Sequence, residues 1–127
     1  MSQKTVIVTG ASGGIGAATA LLAAAQGWAV AVHYRSDPEG AEKVVAEIKA
    51  LGSVARAFQA DMQEEAQVID LFCAVDDALP PLGGLVNNAA RVAARAMTLA
   101  EMDADEINGL LRVNVTGAMI AAREAAA

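Results

Sequence analysis

Short apolar runs alternate along the chain with segments whose apolar residues recur every three or four positions. Val6-Ile7-Val8 is a β-branched run that reads as a strand, and Ile15, Ala18, Leu22 and Ala25 then recur at helical spacing until Gly27 ends the pattern. Ala29-Val30-Ala31-Val32 reads as a second strand. Asp37-Pro38 opens a helix with an apolar stripe of Ala41, Val44, Val45, Ile48 and Leu51, and Gly52 closes it. Residues 54–59 form a third, weaker strand, because Arg56 and two alanines interrupt it. Val68, Leu71, Phe72, Val75 and Leu79 then share one helical face, leaving Glu64, Glu65, Asp70, Asp76 and Asp77 to water, before Pro80-Pro81 stops the helix. Leu85-Val86, after Gly83-Gly84, is a short fourth strand. From about Leu99 to the end of the chain, a long helix carries Ile107, Leu110, Leu111, Val115, Ala118, Met119 and Ala122.

Four βα units fill the chain. Strands separated by helices of this length cannot be hairpin partners, so the predicted fold is α/β: a doubly wound parallel sheet with helices on both faces, ending after about four units. With 127 residues there is room for one domain over 1–127 and no second one. Hydrophobic residues make up 55% and charged residues 19%, enough apolar material to collapse. Aromatics are only 3%, so Val, Ile, Leu, Met and many alanines must fill the interior, which suits helices lying close to a sheet.

Charge and cysteine usage remove several functions. A net charge of -6 and a pI near 4.6 repel a polyanion, so nucleic acid is not an expected partner. Cys73 is the single cysteine and His33 the single histidine, so neither an intrachain disulfide nor a zinc ligand set is available, and no metal site is expected. Cys73 is expected in the core. Residues 5–34 contain no Asp, Glu, Lys or Arg and are long enough for a membrane span, but Gly10, Gly13, Gly14 and Gly16 interrupt them where a lipid-facing helix needs its backbone bonds. The short polar start lacks the apolar region of an export signal, so a cytoplasmic protein outside the membrane is expected.

In an open parallel sheet, ligands lie at the carboxyl ends of the strands, so the residues after each strand carry the chemistry. After the first strand stands Thr9-Gly10-Ala11-Ser12-Gly13-Gly14-Ile15-Gly16. Glycines fall where the backbone must turn sharply and approach a ligand, and the helix that follows offers unpaired N–H groups and a positive dipole end, which suit a pyrophosphate. Gly-x-x-x-x-Gly-Lys-Ser/Thr is absent, so this is not a nucleoside-triphosphate loop.

Four features in one order resemble the short-chain dehydrogenase/reductase family. The spacing Gly10-x-x-x-Gly14-x-Gly16 is similar to that family's glycine loop. Asp61 with Met62, after the third strand, resembles its adenine-contacting acid. Asn87-Asn88-Ala89-Ala90 resembles its Asn-Asn-Ala-Gly element, and Asn114 in Val113-Asn114-Val115-Thr116-Gly117 resembles its active-site asparagine. The resemblance implies a Rossmann-like fold and a nicotinamide dinucleotide held by Gly10, Ser12, Gly13, Gly14, Ile15, Gly16, Tyr34, Arg35, Asp61, Met62, Asn88, Ala89 and Ala90. It implies Asn114 at the catalytic site, holding a kinked helix and an ordered water. Ala90 stands where the family has glycine, a change expected to matter little. Asn114 also lies seven residues after Ile107 and three after Leu111, on the apolar stripe of its helix, so its amide is expected to be buried and hydrogen-bonded.

An NAD enzyme has an acid at the end of the second strand for the ribose 2′-hydroxyl, whereas a 2′-phosphate needs a cation. Tyr34 occupies the place of the acid and Arg35 follows, which resembles the NADP-preferring pattern, with NAD as the alternative and Asp37 nearby. His33 is expected to be a strand-end side chain near the adenine pocket rather than a catalyst.

The family's general acid/base is a tyrosine four residues before a lysine, with a serine ahead of them. Tyr34 is the only tyrosine and has Pro38 four residues on; the lysines are Lys4, Lys43 and Lys49, and the serines Ser2, Ser12, Ser36 and Ser53. The chain is therefore expected to be the cofactor-binding half of an oxidoreductase that transfers hydride between nicotinamide and a carbonyl or alcohol, and to be inactive alone. A non-catalytic nucleotide-binding or oligomerisation module is the second reading. In either case an open fourth strand and an uncovered last helix predict self-association into a homo-oligomer.

Overall fold

The computed structural model describes residues 2–93 and 95–127. Four strands, β1 (Thr5–Val8), β2 (Ala29–Tyr34), β3 (Ala55–Gln59) and β4 (Leu82–Val86), form one sheet in the order β3-β2-β1-β4, with every pair parallel. Helices α1 (Gly14–Ala25), α2 (Pro38–Ala50) and α3 (Glu65–Ala78) connect them. Beyond β4 come a 3-10 turn (Leu99–Glu101), α4 (Ala104–Leu111), a π-helical segment (Arg112–Gly117) and α5 (Ala118–Ala126). The fold is the Rossmann-like, doubly wound α/β arrangement.

Strand alternation sorts the core into two layers. Val6, Val8, Val30 and Val32 point to the face covered by α1 and α2, where they meet Ala20, Ala24, Val44, Val45 and Ile48. Ile7 and Ala31 point the other way, toward Val68, Leu71, Phe72 and Val75 of α3 and toward Val113 and Ala121. The chain runs outward from β1 through β2 to β3, then returns to place β4 on the far side of β1. Strand order therefore reverses between β1 and β4, and their carboxyl ends flank a crevice.

The structure departs from the sequence reading in several places. In α1 the expected stripe is inverted: Ile15, Ala18, Leu22 and Ala25 face water, while Gly16, Ala20 and Ala24 face the sheet. The last helix repeats the inversion, with Gly109, Val113, Gly117 and Ala121 buried, and Ile107, Leu111, Val115 and Met119 exposed. Small residues permit a closer helix–sheet approach, and that closeness overrides the preference of larger side chains for burial. Cys73 is exposed rather than in the core; helical geometry turns it away from the buried row formed by Val68, Leu71, Phe72 and Val75. Leu51 and Val54 are also exposed.

Candidate functional site

The turn after β1 needs glycine for two different reasons. Gly10 and Gly14 adopt φ of 64° and 57°, in the left-handed region where a side chain is strained. Gly16 is crowded: a Cβ there would overlap the Gly10 carbonyl and come within 2.6 Å of Asn88 Nδ2. α1 thus begins directly behind the loop, and its N-terminus has neither a side-chain cap nor an acid in its first turn. α2 differs, since Asp37 Oδ1 accepts from the Gly40 N–H at 3.0 Å and caps it.

A brace from β4 fixes the loop. The buried Thr9 hydroxyl accepts from the N–H groups of Asn88 and Ala89, both at 2.9 Å. Asn88 Nδ2 in turn donates to the carbonyls of Thr9 at 3.1 Å and Gly10 at 3.0 Å. The amide hydrogens of Asn88 are therefore engaged within the protein, and the residue acts by shaping the loop. Ala90 is exposed, and its φ is not positive, so alanine is unstrained where the family has glycine.

Gly10, Ser12, Arg35, Met62, Ala89 and Ala90 come together around a cleft of about 270 Å³ at the strand tips, joined by His33, Ser36, Asp37, Arg91 and Val113. Among the described residues, no carboxylate pairs with the Arg35 guanidinium. Gly13, Gly14 and Ile15 lie at the exposed start of α1, beside the cleft. Tyr34 instead packs against the core layer under α1 and α2. The Asp61 carboxylate accepts from the Gln63 N–H at 2.9 Å, which organises the turn into α3. A wider depression of about 710 Å³ lies around Gln3, Lys4 and Trp28, at the amino ends of the strands, away from these groups.

Asn114 sits in the π segment and is exposed, not buried as its place on the apparent stripe suggested. It is nonetheless bonded at both ends of its amide: Oδ1 accepts from the Arg91 N–H at 2.7 Å, and Nδ2 donates to the Arg91 carbonyl at 2.8 Å. The Arg91 side chain crosses Gly109, where a Cβ would overlap it, and pairs with Glu106 at 3.4 Å. A Cβ at Gly117 would overlap the Met62 carbonyl. Gly109 in α4 and Gly117 at the end of the widened π turn thus bring the helix against both the β4 and β3 loops, the kind of bulge that marks functional sites.

Sequence reasoning did not single out Thr9, Arg91 or the bonding of His33. The buried imidazole of His33 accepts from the Gly10 N–H at Nδ1 (2.9 Å) and lies 2.8 Å from the Ala60 carbonyl at Nε2. Burial pushes its pKa down from the ordinary histidine range, and the bond to Ala60 offsets this only in part.

A model of the short chain dehydrogenase family matches residues 4–127. The chain belongs to that family. It is 43% identical over 119 residues to the uncharacterized oxidoreductase YgfF of Escherichia coli (strain K12), covering 94% of this chain and 48% of that one. It is 39% identical over 132 residues to a short-chain type dehydrogenase/reductase of Picea abies, covering 99% and 49%. A solved short chain dehydrogenase from Burkholderia cenocepacia J2315, in complex with NADP, superposes with a TM-score of 0.91 at 42% identity, over 97% of this chain and 49% of its own. The chain spans about half the length of the curated relatives it matches. Among the described residues, no helix is long and apolar enough to cross a membrane.

The groups present fit the dinucleotide that short-chain dehydrogenases use. An uncapped helix start stands behind a loop that needs glycine at Gly10 for its positive φ and at Gly16 for space, and among the described residues the Arg35 guanidinium in the cleft beside it pairs with no carboxylate.

Proposed function

We propose that this chain is the NADP(H)-binding half of an oxidoreductase acting on a small carbonyl or alcohol substrate. The uncapped, exposed start of α1, following the cleft-lining Gly10 and Ser12 and braced through Asn88, carries this reading. Backbone N–H groups from Ser12 to Gly16 would hold the pyrophosphate, with the Ser12 hydroxyl beside them, while the Gly10 and Ala11 amides are already bonded to His33. Asp61 and Met62 would border the adenine, and Ala89 and Ala90 would line the path toward the nicotinamide. The bound nicotinamide supplies hydride transfer at its C4 carbon. Asn114 acts through Arg91, fixing the segment after β4 against the last helix. These 127 residues hold no Tyr-x-x-x-Lys, so the chain alone should bind nucleotide without turning substrate over.

Arg35 and Asp37 support NADP(H) over NAD(H). The guanidinium is free to meet a 2′-phosphate, whereas the Asp37 carboxylate caps α2. In calorimetric titrations, Arg35→Ala should weaken NADPH binding by about 1.5–3 kcal/mol and spare NADH. Equal losses would overturn the preference, and no binding of either nucleotide at millimolar concentration would overturn the function.

We also propose that the chain works as a homo-oligomer, in the cytoplasm. The exposed row Ile107, Leu111, Val115 and Met119 and the position of β4 at the sheet edge support association. Sedimentation velocity should detect dimers or larger species; a clean monomer would count against it.

A further inference from the structure

Among the described residues, His33 is the only ionisable side chain that is buried, and it lies directly beneath the glycine loop. It touches three strand ends at once. The imidazole extends from β2, Nδ1 takes the Gly10 N–H just beyond β1, and Nε2 meets the Ala60 carbonyl just beyond β3. The His33 backbone carbonyl also accepts from the Ala11 N–H at 2.8 Å, so two successive loop amides end on one residue. These partners determine the tautomer. A carbonyl only accepts, so Nε2 carries the hydrogen; a backbone N–H only donates, so Nδ1 is bare.

We propose that His33 is the positioning residue of the glycine loop: its neutral, Nε2-protonated imidazole fixes the Gly10 amide, and with it the loop conformation that receives a dinucleotide. The inference rests on the dinucleotide reading above. A second proton would put a donor against the Gly10 N–H and leave a partly buried amide without an acceptor. The charged groups around the imidazole are Arg35 and Asp37 from the turn between β2 and α2, Arg91 from the segment after β4, and Asp61, one residue past Ala60; none bonds to it. Its titration is lowered chiefly by burial. The sign follows: the unfolded chain takes up the proton first, so the contribution of His33 to stability is complete above about pH 6.5 and is lost as pH falls toward the lower folded value.

Two substitutions separate the two ring nitrogens. His33→Asn places a non-titrating acceptor as many bonds from the backbone as Nδ1. His33→Gln can reach toward Ala60 but offers Gly10 no acceptor in the same place. At pH 7.5, NADP+ affinity of this chain should fall roughly five- to tenfold in His33→Gln, the usual effect of one lost hydrogen bond, and His33→Asn should rescue most of it. Hydrogen exchange at the Gly10 amide should be faster in His33→Gln and near the parent rate in His33→Asn. In the parent chain, imidazole 15N shifts should report the Nε2–H tautomer, and stability should fall between pH 7 and 5.5 more steeply than in His33→Asn. A bare Nε2 in the parent spectrum, or unchanged Gly10 exchange and affinity in a folded His33→Gln, would overturn the proposal. Gly10 exchange that follows His33 in a chain taking up no nucleotide would instead overturn the dinucleotide reading.

Discussion

Two pairs of helices cover this sheet by opposite means. α2 and α3 press large side chains inward, with Val44, Val45 and Ile48 on one face and Val68, Leu71, Phe72 and Val75 on the other. α1 and the α4–α5 helix turn glycine and alanine inward and leave Ile15, Leu22, Leu111 and Met119 to the outside. The difference follows position. The small-residue helices are pressed against neighbouring loops: α1 must start behind Gly10, and the end of the π segment must reach Met62. Close approach of backbones, not the burial of the largest apolar groups, decides which way these two helices face.

Three substitutions test that contrast, beginning with the largest effect. Phe72→Ala should destabilise by about 3–5 kcal/mol, measured by urea unfolding, because it removes a ring from the layer beneath α3. Gly16→Ala adds only a methyl but should cost about 1–3 kcal/mol and weaken nucleotide binding, since the new atom overlaps the Gly10 carbonyl. In an uncrowded helix the same change stabilises by about 0.5–1 kcal/mol, so the sign alone tells whether α1 is close-packed. Leu22→Ala, at a side chain 61% exposed, should stay within about 0.5 kcal/mol of the parent. A loss near that of Phe72→Ala would mean that the large-residue face of α1 is the buried one.

The strands and the glycine loop were legible because each is a local pattern: Val6-Ile7-Val8 and Ala29-Val30-Ala31-Val32 are short apolar runs, and Gly10, Gly14 and Gly16 sit where a turn enters a helix. α3 was legible because its large residues are the buried ones. The rotation of α1 and of the last helix was not, since hydropathy ranks Leu22 and Met119 above Gly16 and Gly117 and contains no measure of how near a backbone must come. Asn114 was found by its motif, but its exposure depends on that same rotation. Thr9, Arg91 and the hydrogen bonds of His33 escaped for another reason. Each acts through bonds to residues far away in sequence, Thr9 to Asn88, His33 to Ala60 and Arg91 to Asn114, and no spacing rule records those pairs.

The Thr9–Asn88 brace joins residues 79 positions apart, which sets an order of assembly during synthesis. While only the first two βα units have left the ribosome, the loop can bend at its glycines, but it lacks the hydroxyl-to-amide lock and the Asn88 side chain that secure it. On the function proposed above, nucleotide binding would therefore wait for β4 to dock, a late, long-range closure. A nascent chain stalled before Asn88 would present a turn without its brace.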